Sequence, residues 1–486
     1  MQATITTATL VGVDAVPVEV QADVSSGLPV FGIVGLPDVA VQEARDRVRA
    51  ALRTSGYEFP NARVIVNLAP APLRKHGTGF DLPIALAVLC ATGQLEPRAF
   101  DRISAVGELG LDGSVREVPG MLAHALAASR QGRDLLGPES AATVVHAVPD
   151  LRYRPLVGIR AARQGIPSTC RRRSPQEAPP SAPGVDLSDV VGHMQVKRCL
   201  QIAASGGHNV LFVGPPGAGK TMLARALCGL LPPLSAAERL EAALVHSVAG
   251  RDPSPVLGGV RPFRAPHHSS SIAGLIGGGS PPLPGEISLA HTGVLFLDEL
   301  PEFGPASLQA LRQPIEEGAV TLVRAHGAIR YPARVALVAA MNPCPCGYHG
   351  DQDKACSCPP GLVARYQSRV GGPLYDRMDI STRVDRVDPG LLLSDDQAVG
   401  VTTAESRQAV LAARAYAEAR ARSGLRRSLH PGALSLLEHS ARRMNLSGRG
   451  VTRLLKVART IADLGASERV LEGHVAEALT YRGWKG

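Results

Sequence analysis

Residues 214–221 read Gly214, Pro215, Pro216, Gly217, Ala218, Gly219, Lys220 and Thr221, with Met222 next in line. Glycines this close together let the backbone curl until several N–H groups converge on one anion, and a helix that follows adds the positive end of its dipole. A lysine and a hydroxyl closing such a turn suit a nucleoside triphosphate: Lys220 reaches the β and γ oxygens, and the Thr221 hydroxyl holds Mg2+. The flanks agree, because 209–213 (NVLFV) is a short apolar strand and 222–231 (MLARALCGLL) is helical in character. Acid groups are then needed across the site. VLFLDE at 294–299 ends a buried strand in Asp298, suited to Mg2+ through water, and Glu299, suited to polarising an attacking water. A third strand, 334–341, delivers Asn342, which before Pro343 would by itself be a turn former. Together these residues describe ATP hydrolysis, with ATP and Mg2+ as ligands.

Two other groups of residues carry chemistry. Cys344, Cys346, Cys356 and Cys358 flank a polar loop without the apolar content to hold itself together. A tetrahedral zinc would order it, but Cys-x-Cys is tighter than the usual Cys-x2-Cys, and a reduced thiol cluster or a redox role are the alternatives. The other group is basic. RPFRAPHH at 261–268 carries His267 and His268, and VTLVRAHGAIRYPA at 320–333 reads as a hairpin with Gly327 at its tip and Arg324, His326 and Arg330 around it. Such donors suit the phosphates of DNA; the alternative is ordinary solvated loop charge.

The elements that must position these groups fall into segments. A chain of 486 residues exceeds what one core supports, so two or three domains are expected. Residues 1–165 mix strand-like stretches (62–68, 102–111) with helical ones (38–55, 81–92, 121–130), an α+β pattern. A Pro-, Ser- and Arg-rich linker follows at 166–185, its 171–173 arginine run reading as a solvated cluster. Residues 186–395 hold the nucleotide motifs, and 396–486 read as amphipathic helices, one opening at Pro431. The N-terminus lacks a signal peptide's basic region, and no apolar run is long enough to cross a membrane, so a cytoplasmic protein with no membrane contact is expected. A net charge of +9 favours polyanionic partners, whereas an aromatic content of 3% argues against base-stacking platforms.

GGHNVLFVGPPGAGKTMLARAL, RPFRAPHHSSS, PGEISLAHTGVLFLDELPEF, AAMNPCPCG, GGPLYDRMDI and LLKVARTIADL resemble the magnesium-chelatase-like AAA+ ATPases, specifically the bacterial YifB/ComM family. SSGLPVFGIVGLPD, NLAPAPLRKHGTGFDLPIAL and GELGLDGSVREVPG extend the resemblance to the N-terminal part. It implies an α/β fold: a Lon-protease-like (ribosomal S5 domain 2-like) α+β domain, an AAA+ P-loop module with a helix-2 insertion that includes 261–268 and the glycine-rich 274–279, and a helical lid. It further implies a homo-oligomeric ring, a hexamer, performing ATP-driven work on single-stranded or branched DNA, with the insertion and the hairpin lining the pore. Asn342 would help place the water, Arg377 would be the finger reaching a neighbouring subunit's γ-phosphate, and Arg449 the lid sensor, with Arg453 as the alternative. Proteolysis is not expected: Gly79 stands where the Lon serine belongs and Leu122 where the lysine belongs, and neither can act as nucleophile or base. A protein remodeller and a chelatase motor subunit are the competing functions.

Overall fold

The structure is a computed structural model that describes residues 1–170, 185–324, 327–351, 353–370, 374–375, 377–388, 390, 401–422 and 428–482. The 171–173 arginine run, residues 171–184 of the expected linker and the 395/396 boundary therefore lie outside the described residues.

The first strands, Gln2–Val11 and Asp14–Ser25, alternate buried and exposed side chains and pair antiparallel around Gly12 and Val13. Gly12 has φ 67°, the left-handed geometry that a two-residue hairpin turn demands. They lie inside a seven-stranded mixed sheet, ordered Val30–Val34, Arg63–Ala69, Asp14–Ser25, Gln2–Val11, Ile103–Ala105, Asp134–Pro138, Tyr153–Leu156. The helices Val39–Thr54 and Asp81–Ala91 belong to its core cluster. Every residue of Asp81–Ala91 is buried, including Asp81, whose carboxylate accepts from Arg47 at 2.7 and 2.9 Å and from the Leu109 N–H. That pairing makes a buried charge tolerable. The expected strand at 102–111 is broken in two: Ile103–Ala105 joins the sheet, while Glu108–Leu109 pairs with Val115–Arg116. Gly107 breaks it, its N–H turning to the Gly79 carbonyl instead of continuing a ladder.

The second sheet has five parallel strands in the order Phe263–Arg264, Val294–Leu297, Ala336–Met341, Val210–Val213, Ile380–Arg383. All are apolar and buried on both faces except the edge pair, as expected when helices cover a parallel sheet. Phe263 and Arg264 thus belong to the sheet itself, whereas the sequence reading placed 261–268 wholly in an insertion. The true excursions are the helix Ile272–Ile276 with its two-residue ribbon, Gly277–Gly278 against Leu283–Pro284, and the hairpin Ala319–Arg324 with Gly327–Pro332. Four helices close the described chain: Thr403–Arg422, Pro431–Arg443, Gly448–Leu464 and Glu472–Thr480. Pro431 opens its helix as expected. Among the described residues, no helix is long and apolar enough to cross a membrane.

The two sheet regions share apolar packing. Leu10, Val13, Ala15 and Ala123 pack with Ile329 and Tyr331 of the hairpin, and Met121, Leu122 and Ala125 pack with Leu234, Ala242, Ala243 and Val256.

Candidate nucleotide site

Parallel strands put their carboxyl ends on one edge, where open α/β sheets bind ligands. Val213 pairs with Met341 and Leu297 with Ala339, so Gly214 and Asn342 leave the sheet level with each other and Asp298 leaves the neighbouring strand two positions earlier. A Cβ on Gly214 would lie 2.0 Å from the Val384 carbonyl oxygen, so only glycine fits there. Gly217 (φ 78°) and Gly219 (φ 82°) take the left-handed backbone that curls the loop. The helix Lys220–Leu230 then starts without a side-chain cap, leaving its first N–H groups to an anion.

The Lys220 ammonium is buried and donates to the carbonyls of Gly214 (2.7 Å) and Pro215 (2.8 Å) and to Asn342 Oδ1 (3.1 Å). Burial lowers its pKa, and the charges of Asp298 and Glu299 oppose that. A phosphate oxygen is a stronger acceptor than an amide carbonyl, so Lys220 can exchange one of these bonds for it. The Thr221 hydroxyl donates to Asp298 Oδ2 at 3.1 Å. Adjacent ligands of octahedral Mg2+ are about 2.9 Å apart, so this oxygen pair fits that ion.

Glu299 has φ 50°, a left-handed conformation that costs a non-glycine residue about 1–2 kcal/mol and is found at working sites. Its N–H donates to Asp298 Oδ1 (2.9 Å), and its carboxylate lies 3.2 Å from His268 Nδ1. His268 is in turn packed against His267 and edge-on to Phe303. Sequence reasoning assigned His267 and His268 to polymer contact and missed this link, which no local pattern signals. His267 bonds the Ser269 hydroxyl at 2.8 Å.

The three arginines are elsewhere. Asn209, at the start of the strand Val210–Val213, donates to the Arg377 carbonyl (3.0 Å), which puts Arg377 at the amino edge of the sheet, roughly 15 Å from the phosphate loop at 3.3 Å per residue. Its guanidinium is buried against Glu316. Arg449, exposed in the first turn of Gly448–Leu464, is near enough to lower the Arg377 pKa, after burial and the closer charges. Arg453 is 4.0 Å from Asp379, which also accepts from the Asn209 N–H. The contacts of Arg377 and Arg453, and the charge of Arg449 that acts on Arg377, thus belong to this amino edge.

Arg324 and Arg330 are exposed, but the register separates them. Arg324 opposes Gly327 on the face that carries Leu322, Ile329 and Tyr331, while Arg330 opposes Thr321 on the outer face. His326 lies outside the described residues. Arg324 also borders a cavity of about 680 Å³ between the hairpin and the N-terminal sheet, whose walls include Gly79. Leu122 is fully buried. Beyond Asn342, the thiols of Cys344, Cys346, Cys356 and Cys358 converge on one point.

Comparison with known proteins places this geometry. Family models match over 186–391 (magnesium chelatase, subunit ChlI), 20–141 (subunit ChlI of Mg-chelatase) and 400–482 (magnesium chelatase, subunit ChlI C-terminal). The chain is 44% identical over 485 residues to the uncharacterized protein YifB of Escherichia coli K12, covering 97% of this chain and 95% of that one. It is 41% identical over 488 residues to competence protein ComM of Haemophilus influenzae, with the same coverage.

Proposed function

Because the chain belongs to the YifB/ComM family of magnesium-chelatase-like AAA+ ATPases, we propose that it is a cytoplasmic, ATP-hydrolysing ring motor acting on DNA. It would be a hexameric translocase or branch-migration helicase of the kind associated with recombination or natural transformation. The observation that carries this reading is a mechanical link. The Tyr331 hydroxyl of the hairpin donates to the Pro282 carbonyl (2.8 Å) of the excursion that follows the edge strand, and the start of that excursion places His268 on Glu299. A basic ribbon is thus connected to the acid that activates water, as polymer-stimulated hydrolysis requires. Tyr331 is buried and engaged, so it is not offered to an unfolded polypeptide, which favours DNA over a protein substrate. The competence protein among the relatives adds support.

In this reading Lys220 holds the β and γ oxygens, Glu299 polarises the attacking water, and Asn342, which accepts from Lys220, helps to place that water. Mg2+, when bound by Thr221 and Asp298, neutralises the developing phosphate charge. Arg377 and Arg449, on the opposite edge, serve the neighbouring chain's nucleotide. The C-terminal helices act as the lid, and the N-terminal Lon-like domain is a docking element without proteolytic chemistry.

The test is the ATPase rate with no DNA and with single-stranded, duplex and junction DNA. Stimulation that fades steeply with salt is expected, since phosphate contacts release counterions. Arg330→Ala should flatten the salt slope by about one unit and weaken stimulation, with Arg324→Ala having the smaller effect. Absence of stimulation by every DNA would refute the DNA motor.

A further inference from the structure

The Asn342 strand end runs straight into a loop, residues 343–359, that lacks the means to fold by itself. Its apolar content is Tyr348, Ala355 and prolines. The ring of Tyr348 is occupied by the Lys354 ammonium at 4.1 Å rather than by a core. Yet the loop is drawn tight. The Sγ atoms of Cys344, Cys346, Cys356 and Cys358 all lie within 4.8 Å of one another, with separations of 3.3 Å (344 to 346), 3.6 Å (344 to 356) and 3.6 Å (346 to 356). All four are free cysteines.

Three distances of this size around one centre are not those of a disulfide, whose sulfurs are about 2.05 Å apart. They do match a tetrahedron: four sulfurs at about 2.3 Å from a zinc ion stand roughly 3.8 Å from each other. Thiol hydrogen bonds are too weak to gather four sulfurs on a polar loop. Gly347 (φ 87°) closes the first Cys-x-Cys turn, its N–H donating to the Cys344 carbonyl (2.9 Å), which answers the objection that this spacing is too tight. The Cys358 N–H points at Cys356 Sγ (3.4 Å), the kind of outer bond that steadies a thiolate ligand.

The loop touches catalytic parts on both sides. Cys344 is two residues beyond Asn342. A Cβ on Gly347 would lie 2.6 Å from Pro216 Cδ in the phosphate loop. Gln367 Nε2 holds the Pro343 carbonyl (2.9 Å), and Arg383, at the end of its strand, holds that of Gly350.

We propose that Cys344, Cys346, Cys356 and Cys358 bind one Zn2+ as a tetrathiolate centre, and that this centre fixes Asn342 and the phosphate loop relative to each other. The positioning half rests on the ATPase reading; the metal half does not, and neither depends on DNA. Full-length protein purified without chelator should contain one zinc per chain by elemental analysis. Exchange with Co2+ should give the visible spectrum of a tetrahedral thiolate site. Cys356→Ser with Cys358→Ser should lose the metal. Zinc near zero, iron in its place, or zinc retained by the double variant would each overturn the assignment. Gly347→Ala leaves the ligands intact while pushing on Pro216: it should keep its zinc and ATP binding, and lose turnover on the order of a hundredfold, the effect of an ångström's misplacement. Full turnover in a zinc-loaded Gly347→Ala protein would overturn the positioning role.

Discussion

The two edges of the five-stranded sheet are built on opposite plans. At the carboxyl edge the polar groups face a ligand: Lys220 rests on exchangeable carbonyls, Thr221 and Asp298 are spaced for a hard cation, and Glu299 is steered by His268. At the amino edge the charges are already paired, Arg377 with Glu316 and Asp379 with Arg453. Among the described residues, the first edge gathers the groups that suit a triphosphate, whereas Arg377 and Arg453 stand at the other. The lesson is that, in the proposed ring, internal ion pairs would keep the amino-edge arginines stable in one chain until a neighbour's nucleotide meets them.

The comparison would break most visibly at the carboxyl edge. Lys220→Ala and Glu299→Gln should each cut turnover on the order of a thousandfold, but they should separate in a nucleotide-binding assay: the first loses ATP, the second retains it. Near-normal turnover in either would remove that residue from the site.

Arg377→Ala tests whether the edges are shared between chains. In assembled protein it should lower turnover by roughly a thousandfold, the scale of an arginine finger, with ATP binding kept. Mixing it with Lys220→Ala subunits should recover part of the rate, since each lesion spoils a different half. If no mixture exceeds its parents while both assemble and bind ATP, sharing is wrong.

The smallest effect concerns His208, fully buried between Asp379 (3.4 Å) and the Thr460 hydroxyl (2.8 Å). Burial lowers its pKa, with Asp379 opposing. The unfolded chain takes up that proton near the ordinary histidine value and the folded chain resists, so stability is present above about pH 6.5 and lost as the pH falls. One such group contributes a slope of at most about 1.4 kcal/mol per pH unit. Denaturant melts between pH 7 and 5 should show a flatter dependence for His208→Gln; identical slopes would mean that His208 is charged in the fold.

What could be read from sequence was whatever is contiguous. The phosphate loop, the acid pair and Asn342 each consist of a short apolar strand followed at once by its functional residue, so local pattern and site coincide. The pairing of Arg377 with Glu316 spans 61 residues, and His268 reaches Glu299 only because the edge strand turns where it does. No periodicity carries that information. The strands Asp134–Pro138 and Tyr153–Leu156 escaped for a related reason: each is short and earns its place by pairing in parallel with a partner distant in sequence.

The apolar contacts that join the two sheet regions bear on how the chain can be taken apart. A fragment beginning at residue 185 would retain every nucleotide motif, yet it would uncover Leu234, Ala242, Ala243 and Val256, together with the inner face of the hairpin at Ile329 and Tyr331. Solvent would then meet a patch that now excludes it, and exposed apolar patches invite self-association. Gly12 makes the contact closer still, since a Cβ there would stand 2.9 Å from Ile329 Cγ2. The N-terminal region is therefore part of the wall of the ATPase core, and the molecule divides less readily in three dimensions than along its sequence.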